Sequence, residues 1–171
     1  MNDGDKLARS VLWRAARCVQ DSDTKGATAI IFDACIASID DVDVKSMVDA
    51  VQRASTLIVV GAELCAVALR KAAGDPHPTC YNSELFYSME VSTLEGLAID
   101  FDDVDTAPSA VTALRCISAG LNRDFDLLSS VLKAHVHVCG VASVFEVVGD
   151  LINYYIAFAD GEIDEKVFDS A

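Results

Sequence analysis

Three prolines and nine glycines are all that this 171-residue sequence holds of either residue. So few backbone breakers exclude a loop-rich or collagen-like chain. Positive charge is also scarce: 13 basic side chains face 27 acidic ones, a formal charge of −14. Such a surface repels phosphate backbones and anionic bilayers, so neither nucleic acid nor membrane insertion is expected. No Cys-x-x-Cys pair occurs, which leaves zinc ribbons and thioredoxin-like redox chemistry without their ligands. Also missing are Gly-x-Gly-x-x-Gly, phosphate-loop and Gly-x-Ser-x-Gly sequences, so no enzyme and no metal site is expected. The start, Met1 to Lys6, lacks the basic and apolar stretches of a signal peptide. The most apolar run, Leu57 to Leu69, carries Glu63 and is too short to span a bilayer. The expected location is cytoplasmic or plastid, in solution, and the run leaves open whether Glu63 is buried.

What is present is helix-forming apolar residue. Apolar residues make up 52% of the chain, enough for a chain this long to build its own core. Leu7, Val11, Leu12, Ala15, Ala16 and Val19 recur at helical spacing and predict a first helix over 4–20. Asp21-Ser22-Asp23-Thr24 breaks it, and a second helix is predicted over 25–39. After the acidic hinge 40–43 comes a long helix over 44–73. Its first half carries one stripe (Val44, Met47, Val48, Val51, Ala54, Leu57, Ile58), and its second half is apolar on nearly every side. A helix of the second kind is central and buried. Gly74 suits its end, and Pro76 and Pro78 prevent continuation. Further helices are predicted from Asn82 or Ser83 to Ile99, from a Thr106 cap to Leu121, from Asp124 to about Gly140, and from Ser143 to Phe158, with Gly161 as the stop. Asp100, Asp102, Asp103 and Asp105 lack the glycine and glutamate of a calcium loop and read as capping acid. Residues 134–138 alternate as a strand would, but their context favours helix. On a helix, 100° per residue sets His137 opposite His135 and Cys139, which weakens any metal reading of the three.

Of six cysteines, Cys18, Cys35, Cys65 and Cys116 lie inside apolar helical patterns, where cysteine acts as a small hydrophobe. Cys80 instead follows Pro76-His77-Pro78-Thr79 at the edge of a loop. A thiol so placed is accessible to covalent attachment. Tyr154-Tyr155 sits in an apolar helix and reads as packing.

In chain order several short segments resemble one family. They are Arg14-Ala15-Ala16 with Asp21-Ser22 and Gly26; Asp49-Ala50-Val51 with Ala54-Ser55; Cys80-Tyr81-Asn82; Arg115-Cys116-Ile117 with Gly120-Leu121 and Phe125; Val131 to Ala134; and Gly149-Asp150 with Tyr154-Tyr155. Together they resemble a divergent phycobiliprotein, of β-subunit type. The resemblance implies an all-α, globin-like helical domain with an N-terminal helical hairpin that pairs subunits. It implies a linear tetrapyrrole (bilin) held by a cysteine thioether, with an arginine on a propionate and an aspartate on the pyrrole nitrogens. In the ungapped frame Met89 takes the place of the principal cysteine, and Val91 and Ser92 those of the arginine and aspartate. With Cys80 as the attachment point, Asn82 and Ser83 take those two places. Cys65 and Cys139 lie near the family's additional attachment regions.

The resulting expectation is a single domain, with a hairpin over 1–40, a globin-like core over 41–160 and an acidic tail over 161–171. It is a light-harvesting subunit carrying a bilin on Cys80, Cys139 or Cys65, paired with a homologous helical subunit. The alternative is a chromophore-free assembly or adaptor subunit. A bilin is a dianion and needs local cations. Near Cys80 the sequence offers Arg70, Lys71 and His77.

Overall fold

A computed structural model describes residues 3–36, 44–81, 86–89, 106–161, 163 and 168. Among them the protein is all α, with no strand. Six helices run in chain order: α1 (Asp3–Gln20), α2 (Thr24–Ile36), α3 (Val44–Ala72), α4 (Pro108–Leu121), α5 (Phe125–Cys139) and α6 (Val144–Phe158), with a 3-10 turn at Val141–Ser143 before the last.

The first helix follows its stripe. Ala8, Val11, Leu12, Ala15 and Ala16 are buried, and Asp3 and Asp5 in the first turn and Arg17 in the last complement the helix dipole. Ser22, at φ +62°, reverses the chain. Its N–H reaches the Val19 carbonyl, that of Asp23 reaches Cys18, and the Asp23 carboxylate accepts the Gly26 N–H at 2.8 Å to start α2. The pair then packs on α3 and α6. At the end of α1 the Gln20 side-chain amide donates to the Gly161 carbonyl beyond α6.

The long helix is the axis of the fold. It packs most closely on α6 and α4. Ala54, Leu57, Ile58, Val60, Ala62, Leu64, Cys65 and Ala66 are all buried, each larger side chain contributing roughly 1.5–3 kcal/mol. The start of the apolar stripe does not follow: Met47 and Val48 are more than half exposed, while the smaller Ala50 turns inward. Small residues set the spacing elsewhere. A Cβ on Gly120 would lie 3.0 Å from the Ala62 carbonyl oxygen, so α4 crosses α3 nearly backbone to backbone. Glu63 is half-exposed and finds Arg9 of α1, at 3.7 Å, so the acid in the greasy run sits at the rim beside a cation.

The later elements end as their sequences predict, with two exceptions. Asp124 caps α5 by accepting the Leu127 N–H at 2.9 Å, and Gly140 stops it at φ +84°. The α4 cap is Ala107, not Thr106, with Pro108 in the first turn. The helix predicted from 82 or 83 to Ile99 is the second exception. Residues 82–85 and 90–99 lie outside the described residues, but Phe86 to Met89 are not helical. The cause is Asn122, whose side-chain amide takes both the N–H and the carbonyl of Tyr87, at 2.9 and 2.8 Å. The acidic hinge 40–43 and the capping acid of 100–105 also fall outside the described residues. Phe168, in the acidic terminal stretch, is buried edge-on against Tyr155 at 5.2 Å between ring centres.

Candidate functional site

The three cysteines singled out by sequence occupy three different environments. Cys65 is fully buried where α3 meets α6, and its thiol donates to the Leu151 carbonyl at 3.3 Å. Burial pushes this thiol far above its usual range, as it does Cys116, to about 12, and Cys35, to about 11. These three are core residues. Cys139 is exposed at the last position of α5. One turn earlier His135 is buried with Nδ1 2.9 Å from the Thr112 hydroxyl, and His137 is exposed. Among the described residues no group of three or more histidines, cysteines or acids could hold a metal ion.

Cys80 is exposed, and it is the cysteine around which other functional groups gather. The geometry begins at the end of α3. Gly74, at φ +79°, reverses the chain while its N–H and that of Asp75 close on the Lys71 and Arg70 carbonyls. The helix therefore ends with Asp75 facing the segment that follows. One Asp75 oxygen accepts the His77 N–H at 2.8 Å and the other accepts the Tyr87 hydroxyl at 2.9 Å. His77 in turn accepts the Cys80 N–H at 2.9 Å. Two prolines remove donors from this stretch, and the Asp75 carboxylate organises those that remain.

Two guanidinium groups flank the loop. Arg123, in the left-handed turn between α4 and α5, lies over the Tyr81 ring at 5.4 Å, beside Cys80. Arg70, only 3% exposed, lies over the Tyr87 ring at 5.8 Å and donates Nε–H to the Ala66 carbonyl. One of its terminal nitrogens is buried with no hydrogen-bond partner. Such an orphaned charged donor is costly unless an anion or water meets it. Asn122, next to Arg123, holds Tyr87 by its backbone and also donates to the Ser118 carbonyl at 3.1 Å. The loop, Asp75, Tyr87, Asn122, Arg123 and Tyr81 thus form one set of contacts that reaches the backbone of Cys80 through His77 and its neighbour Tyr81. The hydrogen bonds from His77 N–H and Tyr87, with Arg70 nearby, hold the Asp75 carboxyl below its usual value of 3.8, and the same bond raises the Tyr87 phenol. Phe86, 83% exposed, adds apolar surface beside Tyr87.

Sequence reasoning found Cys80, Arg70 and His77 but missed Tyr87, Asn122 and Arg123. Asn122 and Arg123 belong to another turn of the chain, and no spacing in the sequence joins them to the thiol.

No protein-family model matches this chain, and no curated protein and no solved structure matches it.

Proposed function

We propose that the chain is a light-harvesting subunit of phycobiliprotein type, its helices arranged in globin fashion, and that it carries one linear tetrapyrrole as a thioether on Cys80. The observation that carries this reading is the setting of that thiol. It is exposed, and two guanidinium groups belong to the network around it, one of them with a buried nitrogen lacking a partner. A dianionic pigment requires such cations on so acidic a chain. The short sequence resemblances to that family support the same reading. When bound, the tetrapyrrole supplies visible-light absorption. Cys80 would hold it covalently, Arg123 and Arg70 would meet its propionates, and Tyr81 and Phe86 would cover apolar edges. Asp75 is the carboxylate tied to this network, and it would stand in for the aspartate absent from the resembling segment. Cys139 is the secondary attachment candidate by exposure. Attachment at Cys65 would require the α3–α6 seam to open. No catalytic role is proposed.

A second reading, a chromophore-free assembly subunit, is favoured by a separate observation. Leu7, Phe32, Met47 and Val48, on α1, α2 and the start of α3, are each at least half exposed. Apolar surface of this kind suits a homologous helical subunit. By length and composition alone, Lys45–Ala72 and Val141–Phe158 could cross a bilayer. Much of the apolar surface of the first is buried inside the fold, as in the core helix of a soluble protein, and a soluble protein, cytoplasmic or in a plastid, is proposed.

The test is direct. Protein purified from its native source should absorb visible light, show zinc-enhanced fluorescence on a denaturing gel and gain the mass of one tetrapyrrole on the peptide containing Cys80. A colourless protein of unmodified mass would end the first reading, and a strictly monomeric one the second.

A further inference from the structure

On one side of the molecule, α3 and α5 do not close on each other. Val51 and Val59 on the first and Leu128 and Leu132 on the second border a groove of about 520 Å³, within the range of small-molecule sites. Val51 and Val59 are only half-buried, on the same helix whose Leu57, Ile58 and Val60 are sealed in the core. The charge of the lining is unusual for this chain. Acidic residues outnumber basic ones about two to one overall, yet among the described residues no aspartate or glutamate borders the groove, and the two ionisable residues of its lining, Lys133 and His137, are both of basic type. Four residues apart on α5, they project from neighbouring turns on one face. Among the described residues no carboxylate lies within ion-pair distance of Lys133.

We infer that this groove binds a free long-chain carboxylic acid. Its hydrocarbon chain lies along the valines and leucines, and its carboxylate meets the Lys133 ammonium with His137 beside it. An apolar trough with a cation on its wall is complementary to an amphiphile with a small anionic head, of which a fatty acid is the simplest, and a neutral lipid would leave the ammonium without a counter-charge. The inference is separate from the pigment reading, because none of the residues around Cys80 borders the groove.

The full chain is titrated with the fluorescent fatty acid cis-parinaric acid, then with palmitate and with 1-hexadecanol as competitors, all below their micellar concentrations. Saturable one-to-one binding displaced by palmitate is expected. Lys133→Glu weakens palmitate at least about tenfold and leaves hexadecanol unchanged, as the loss of one charge-assisted contact predicts. Val59→Trp fills the trough and abolishes binding of both competitors without lowering the melting temperature. Cys80→Ser binds as the parent does. Absence of saturable binding by the parent chain overturns the proposal, as it would if the chain itself or another subunit covers the groove in solution. Unchanged binding by Val59→Trp, or an equal effect of Lys133→Glu on acid and alcohol, overturns it as well.

Discussion

One helix shows two opposite kinds of surface. Toward α4 and α6, α3 is closely packed: Ile58, Ala62 and Cys65 have no exposed area, and Gly120 lets two backbones meet. Toward α5, Val51, Ser55 and Val59 recur at a four-residue spacing and stay half-buried along an open groove. Beyond its C-terminus, the loop around Cys80 is exposed and held almost wholly by polar bonds. Rigidity is therefore concentrated in the seam, and the groove and the loop are left open to solvent. Interiors packed to crystal-like density tolerate little change, whereas open surfaces tolerate much.

The sharpest test of this contrast compares adjacent residues. Ile58→Ala should cost about 2–5 kcal/mol in chemical denaturation, while Val59→Ala should cost less than about 1 kcal/mol. Equal losses would mean that the groove is filled in solution. Thiol labelling of the folded protein should show the same division. Cys80 and Cys139 should react promptly, and Cys35, Cys65 and Cys116 at least about a thousandfold more slowly, since they are buried and react only on opening. Prompt labelling of Cys65, read by mass spectrometry, would show that the seam opens easily.

The two glycines near the seam refine the comparison. At Gly120 a methyl group would crowd the Ala62 carbonyl, so Gly120→Val should destabilise by about 1–3 kcal/mol. At Gly149, mid-helix in α6, an added Cβ meets nothing within 4 Å, and Gly149→Ala should stabilise by about 0.5–1 kcal/mol. A melting curve that moves the same way in both variants would remove the close crossing from the account. The smallest effect concerns pH and the loop. The folded pKa of Asp75 is depressed, so its contribution is present above pH 3.8 and is lost only as pH falls through the lower folded value. That of Tyr87 is raised above 10.0, so its contribution persists below pH 10 and is lost as pH rises through the folded value. The near-ultraviolet tyrosine signal of the loop should therefore hold across the range between. Asp75→Asn should weaken that signal at neutral pH while far-ultraviolet helicity stays constant.

The seam was legible in the sequence. An apolar run with no polar face can only be central, and α3, α5 and α6 fall within a few residues of their predicted bounds. The prolines likewise announced an accessible Cys80. The surroundings of that thiol were hidden, because they depend on Asn122 and Arg123, which the fold delivers from a distant turn. The same Asn122 explains the misread stretch. Leu85, Phe86 and Met89 have helical spacing, but a side-chain amide at Tyr87 satisfies the backbone groups a helix would have used, and no periodicity reveals such a substitution. Met47 and Val48 show the converse limit: spacing identifies a stripe without saying which side of the molecule is outside.

The meeting of α1 with α6 bears on how the chain reaches this form during synthesis. A ribosome releases the first helix long before the last one exists, and the amide of Gln20 must wait for the carbonyl of Gly161. Until then Leu12 and Ala16 lack the cover that Ile152, Tyr155 and Phe168 give them around one small gap. The nascent chain thus carries part of a greasy ridge uncovered for as long as synthesis takes to pass from α1 to α6. That interval is when a chaperone would have most to hold.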